Sequence, residues 1–237
     1  MPSGHRPTAV VRGALSVLGE LLLTFGLVLG LFAAYELWWT DVLADRHEAK
    51  AQQELLRTWQ APPDASTPGT GVAPAYDVGG ALGILHVPAL GRGYSVLVKE
   101  GTSTAVLNQG VAGHYTSPPS ALPWDASGNF ALAAHRDGHG AKFHNIDKIG
   151  AGDAIVFETR TEWYVYRVDN TLPKTSKDNV GAITPVPAGS GYTTPGHYIT
   201  LTSCTPVFTS LYRIVVWGHL TETVPVDQQR TPPAALR

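Results

Sequence analysis

Cys204 is the single cysteine of the chain, and it stands at the end of "YITLTSC", a run in which apolar and polar residues alternate. An isolated thiol closes no disulfide within its own chain, so it is either an inert buried hydrophobe or a nucleophile. The thiolate is the reactive form, and a neighbouring cation makes it easier to form. Arg213 lies nine positions on (213 − 204) and opens a second apolar run, "RIVVWGHL". If the two runs pair as an antiparallel hairpin, the strands sit about 4.8 Å apart and the guanidinium falls beside the sulfur. There it favours the thiolate and offers a fork of N–H donors to a bound carbonyl or a developing oxyanion. An arginine that only snorkels into water from a strand end is the other reading.

Displacing an amine from an acyl group also needs a proton carrier, and histidine titrates in the right range. Of the nine histidines, His135 closes "GNFALAAH", another apolar run ending in a polar residue, so its end can share a rim with the hairpin. His135, His139 and His144 also make a metal-binding alternative, because residues four apart share one face of a helix. Gly138 and Gly140 flank His139, however, and the residues before it read as a strand, so the segment reads as a solvated loop. His114, His197 and His219 read as structural or exposed.

The elements that must position these side chains are short and β-like. From Ala81 onward come "ALGILHVPAL", "YSVLVKEG", "GNFALAAHR", "GDAIVFET", "EWYVYRVDN", "HYITLTSC" and "YRIVVWGHLTET", separated by Gly, Pro, Asn and Asp. Runs rich in Val, Ile, Tyr and Phe between such turn residues predict an all-β sandwich or closed barrel. "TSTAVLNQG" supplies a short helix, with Thr102 or Ser103 as its cap and Gly110 as its stop.

The N-terminal part has a different character. Leu21 to Tyr35 contains no charged residue, and the apolar stretch reaches from about Leu15 to Trp39, interrupted by Glu20 and Glu36. That is the length a helix needs to cross a bilayer, with Trp38 and Trp39 suited to its interface. The stretch exceeds the apolar core of a cleaved signal peptide, so an uncleaved anchor is expected. Arg6 and Arg12 precede the span, while Asp41 and Asp45 follow it, which puts the N-terminus in the cytoplasm and the rest outside the cell. The expected divisions are a cytoplasmic tail over 1–13, the anchor over 14–39, a juxtamembrane helix over 40–60 with Val42, Leu43, Leu55, Leu56 and Trp59 as its apolar positions, a Pro-rich linker over 61–80, the β domain over 81–224 and a disordered tail over 225–237. With 17 Lys+Arg against 19 Asp+Glu and no run of like charges, nothing marks a nucleic-acid partner.

Thr200, Leu201 and Cys204 in "TLTSC", Arg213 nine positions later and His135 sixty-nine positions upstream (204 − 135) resemble the His, Cys and Arg constellation of sortases. These are cysteine transpeptidases of Gram-positive cell surfaces. Ser203 stands where the family motif Thr-Leu-x-Thr-Cys has its second threonine, and Ala134 where the commoner Ala-Gly-His-Arg has glycine. Similarity extends to the anchor ending in "YELWWTD", to "ILHVPAL", "YSVLVKEG", "GHY" and "FHNIDKIGAGD", and is greatest to the class E sortases of high-GC actinobacteria.

The resemblance implies an eight-stranded β-barrel with short helices, with Cys204 as nucleophile, His135 as acid and base, and Arg213 holding substrate and oxyanion. It implies Tyr115, Thr202 and Ser203 as substrate-binding residues. Tyr115 in "GHY" matches a tyrosine implicated in preferring Leu-Ala-x-Thr-Gly over Leu-Pro-x-Thr-Gly. The implied partners are surface proteins carrying a sorting signal, a lipid-linked peptidoglycan precursor as amine acceptor, and the membrane; no cofactor and no metal is implied. Two rivals remain: an L,D-transpeptidase, whose Ser-x-Gly-Cys context Thr202 and Ser203 do not fit, and a non-catalytic surface domain that binds a metal or another partner.

Overall fold

The computed structural model describes residues 7–35, 39–60 and 80–237, and the chain divides into two compact units, Met1–Thr40 and Asp41–Arg237. The first is helix α1, Pro7–Ala34. Its stretch Val11–Ala34, 24 residues, is long and apolar enough to cross a membrane, and none of that span is buried within the protein. At 1.5 Å per residue it covers about 36 Å, a little more than a hydrocarbon core. Glu36 and Trp38, and nearly all of the linker expected over 61–80, lie outside the described residues.

The second unit is a closed barrel of eight strands: β1 Ala81–His86, β2 Ser95–Glu100, β3 Ala112–His114, β4 Gly128–Ala133, β5 Ala154–Glu158, β6 Glu162–Ser176, β7 His197–Thr205 and β8 Tyr212–Pro225. Around the barrel they run in the order β1-β2-β3-β4-β7-β8-β6-β5. The pairs β2–β3 and β4–β7 are parallel and the other neighbours antiparallel. Each of the seven runs read from the sequence holds a strand. The eighth, β3, has three residues, too few for alternation to show.

Alternation decides which side chains fill the interior. Phe130 and Leu132 of β4, Ile199 and Leu201 of β7, and Ile214 and Val216 of β8 join one core cluster with Leu85, Val98, Phe157 and Tyr166. Because successive side chains face opposite sides of a strand, Ala133, Thr202, Cys204, Arg213 and Val215 lie on the outer face. The barrel therefore carries the candidate residues on its wall.

Two boundaries differ from expectation. Helix α2, Thr40–Gln60, is part of the barrel unit from Asp41 onward. Leu55 and Trp59 are buried in a cluster with Ile84 and Leu97, whereas Leu43 is exposed and Ala44 and Glu48 are buried in the first half. Glu48 tolerates this because its Oε1 accepts from the Leu97 N–H at 2.8 Å and its Oε2 lies 3.5 Å from Lys142 Nζ. Burial still raises its pKa above the ordinary carboxylate value, and Lys142 opposes the shift.

The tail expected to be disordered over 225–237 is ordered. Arg230 donates from Nε and Nη2 to Glu158 Oε1 at 2.9 and 2.6 Å, and its guanidinium stacks 4.5 Å from the Trp59 ring centre. Val226, Ala235 and Leu236 pack against Val156, Trp163 and Val165. A polar, Pro-rich composition conceals this docking, which combines one cation meeting one buried carboxylate with a few scattered apolar contacts.

Candidate active site

The β7–β8 register sets the first pair. Cys204 lies directly opposite Arg213, and Thr202 opposite Val215, two places further in. Cross-strand partners have Cβ atoms about 5 Å apart on one face, so sulfur and guanidinium share the outer wall. Cys204 and Arg213 are both half-buried. Arg213 Nη1 donates to the carbonyls of Ser210 and Tyr212 at 3.1 and 3.0 Å, which fixes the fork at the mouth of the hairpin.

The parallel β4–β7 register sets the third residue. Ala133 pairs with Thr202, and the Ala134 N–H donates to the Thr202 carbonyl. His135 follows the end of β4 by two residues, at the end of the barrel where β7 carries Cys204. The β4 end is bolted to the β7 end by Arg136, a buried residue that sequence reasoning did not single out. Its Nη1 donates to Thr205 Oγ1 at 2.9 Å and to the Cys204 carbonyl at 3.4 Å, its Nε to the His144 carbonyl at 3.2 Å, and its Nη2 to Asp147 Oδ1 at 2.7 Å.

His135 Nε2 lies 2.8 Å from Asn108 Oδ1. An amide oxygen only accepts, so the ring presents Nε2–H to it and leaves Nδ1 free for proton transfer. Burial lowers the His135 pKa below its ordinary value of 6.5; His139 adds to the shift and Asp137 opposes it. The neutral imidazole is thus favoured, the form able to take a proton from a thiol. Asp137 serves the site twice, since its Oδ2 also accepts from the Phe208 N–H at 2.6 Å and so ties the β7–β8 loop to the His135 loop. Neither Asn108 nor Asp137 was legible beforehand. The one available signal was their position next to the short helix and the candidate histidine.

A groove of about 200 Å³ runs along the outer wall, bounded by Tyr115 and Pro118 from the β3–β4 connection, Val180 and Ile183 from the β6–β7 connection, Thr202 of β7 and Arg213 of β8. The Thr202 hydroxyl donates to the Leu132 carbonyl at 3.2 Å, so the Tyr115 hydroxyl, 3.0 Å away, is the donor to Thr202. Ser203 faces the opposite way. It is 3% exposed and its Oγ donates to the Ala134 carbonyl at 2.8 Å, so it lies on the interior side with Ile214 rather than in the groove. His139 sits with its ring centre 5.6 Å from that of His135, while His144 Nδ1 turns to the Arg136 carbonyl at 2.8 Å. Among the described residues, no three His, Cys, Asp or Glu side chains converge as metal ligands.

A thiol paired across the hairpin with an arginine, an imidazole whose neutral form is favoured just past the neighbouring strand, and a groove that reaches Arg213 are the parts needed for acyl transfer through a thioester. Comparison with known proteins agrees. The Sortase domain profile matches residues 85–221. The chain is 54% identical to Sortase SrtE2 of Streptomyces coelicolor over 235 residues, 98% of this chain and 92% of that protein. It is 40% identical to Sortase SrtE1 of the same organism over 227 residues, 93% of this chain and 61% of that protein. Among solved structures it is similar to sortase E1 from Streptomyces coelicolor with a tripeptide in the active site, at a TM-score of 0.63 and 43% identity, covering 69% of this chain and 100% of that one. Sortase E from Streptomyces avermitilis is similar at a TM-score of 0.60 and 39% identity, covering 68% of this chain and 100% of that one.

Proposed function

The chain belongs to the sortase family, as a class E cysteine transpeptidase, and on that premise we propose that it cleaves a Leu-Ala/Pro-x-Thr-Gly sorting signal between Thr and Gly and passes the acyl group to a cell-wall amine. The observation that carries this reading is the cross-strand pairing of Cys204 with Arg213, with His135 at the end of the adjoining parallel strand.

In the first half-reaction, neutral His135 takes the thiol proton and the thiolate of Cys204 attacks the threonine carbonyl carbon. A C–S bond forms, and the Arg213 donors stabilise the developing oxyanion. The C–N bond to glycine then breaks, and the imidazolium returns its proton to the leaving amine. In the second, an acceptor amine attacks the thioester, His135 removes its proton, and the thiolate departs. A thioester suits this exchange because amines attack it readily once water is kept away.

Tyr115 and Thr202 line the groove that in this reading receives the peptide. The acceptor in this reading is a lipid-linked peptidoglycan precursor. Helix α1 anchors the enzyme with its N-terminus cytoplasmic and its barrel extracellular, so that enzyme, sorting signal and acceptor meet at one membrane surface at high effective concentration.

The test is the full chain in detergent micelles with fluorogenic Leu-Ala-x-Thr-Gly and Leu-Pro-x-Thr-Gly peptides, with and without an amine acceptor. Cleavage is expected for the wild type and abolished in Cys204→Ala, with a thioacyl adduct on Cys204 by mass spectrometry. Cleavage that persists in Cys204→Ala, or an adduct on another residue, sinks the reading.

A further inference from the structure

Two loops bracket His135, and one helix touches both. On one side, Asn108 holds the His135 ring, and two residues later Gly110 takes φ 74°. A Cβ added at Gly110 would come within 3.0–3.1 Å of the Ala44 carbonyl and Cβ, so α2 rests against the turn that carries Asn108. On the other side, Gly138, His139, Gly140 and Ala141 have φ of 65°, 51°, 83° and 36°. Four consecutive left-handed residues, two of them with side chains, persist only where the surroundings hold them.

The holding groups come largely from α2. Asp41 Oδ1 accepts from the Gly140 N–H at 2.8 Å, and Asp45 Oδ1 binds Lys142 Nζ at 2.9 Å. A Cβ on Gly140 would stand 3.0 Å from Asp45 Oδ1, 3.4 Å from the Gly110 Cα and 3.5 Å from the Ala44 Cβ, so helix, turn and loop converge at one point. The Tyr94 hydroxyl donates to the Lys142 carbonyl and anchors the far end of the loop.

We propose that Asp41 and Asp45, with Ala44 as the spacer between them, are positioning residues that hold the Asn108–His135 pair in line with Cys204. Their contribution is to geometry more than to stability. Asp45 is exposed and Asp41 half-buried, so their polar contacts add little to folding, and the large apolar side chains that attach α2 lie at its other end, in Leu55 and Trp59. The first turns of α2 are thus free to act as a clamp on the two loops. Only the rate measurement below rests on the transpeptidase reading.

The experiment uses the full chain in detergent, comparing Asp41→Ala, Asp45→Ala and the double variant with Leu55→Ala. Small misplacements of a proton carrier are costly in rate, so the double variant is expected to lose about tenfold in kcat with KM within about twofold and an almost unchanged Tm. Asp41→Asn, whose amide oxygen still accepts from Gly140, restores the rate relative to Asp41→Ala. Leu55→Ala lowers Tm and leaves kcat of the folded protein in place. A double variant with kcat within about twofold of wild type, or losing kcat and Tm together as a general destabilisation does, overturns the proposal. Imidazole NMR of His135 is a second readout, expected to shift or broaden in the double variant. If the wild-type chain cleaves no sorting peptide, the reaction assignment fails, and unchanged His135 resonances in the double variant then overturn the clamp separately.

Discussion

At the scale of single residues, the role proposed for His135 predicts a site sensitive to acid. Burial disfavours the imidazolium, so the folded-state pKa lies below 6.5 and the neutral ring dominates above it. As pH falls through that lowered value the ring becomes protonated and no longer accepts the thiol proton. The acid limb of kcat/KM is therefore expected to have its midpoint below 6.5, and a midpoint above 6.5 contradicts the assignment of that limb to His135. The same shift acts on folding. The unfolded chain takes up the proton first, so the contribution of this group to stability is present above 6.5 and is lost as pH falls through the window below it. The proposed trio drew attention in the sequence because a thiol, a cation and an imidazole announce their chemistry by type and stand at the ends of strand-like runs, while the choice of His135 among nine histidines rested on the resemblance. Asn108, Arg136 and Asp137 drew none, because each acts on a partner many positions away that only the fold brings near.

At the scale of elements, the site depends on three strand ends being level, and Arg136 keeps two of them so. Arg136→Ala leaves the carbonyls of Cys204 and His144 without their charged donor and opens a cavity between β4 and β7. It is expected to cost about 2–4 kcal/mol, read as a fall in Tm, and to speed alkylation of Cys204 as the wall loosens. Unchanged Tm and alkylation would mean that the strand ends are held by the ladder alone. Strand existence was legible from β-branched residues between turn signals, yet the order of strands was not. The parallel β4–β7 pairing joins segments almost seventy positions apart, and no local pattern encodes it. Helix α2 shows the converse limit. Its leucines and tryptophan at the C-terminal end were readable, but the first half docks through carboxylates and a small residue, which look solvent-facing in sequence.

At the scale of the whole molecule, the catalytic unit is the barrel together with a helix before it and a segment after it. Arg230→Ala would leave Glu158, 5% exposed, with His86 as its one remaining side-chain partner among the described residues. Breaking a buried ion pair on one side costs about 3 kcal/mol, so Tm is expected to fall by several degrees with little change in kcat; an unaltered Tm would refute the role of this contact. The all-β character was legible from many short strand-like runs, but those runs fit a sandwich as well as a barrel, and closure into eight strands was implied by the resemblance rather than by the pattern. The docking of the tail was not legible, because it combines one arginine with apolar residues scattered among prolines and without a period. Trp59 and Arg230 stand 171 positions apart (230 − 59) and meet face to face. The segments before and after the barrel are thereby fastened to each other, the buckle made of one indole and one guanidinium. Peeling from either terminus has to undo that buckle, so a cut or a pull at one end loosens the other as well.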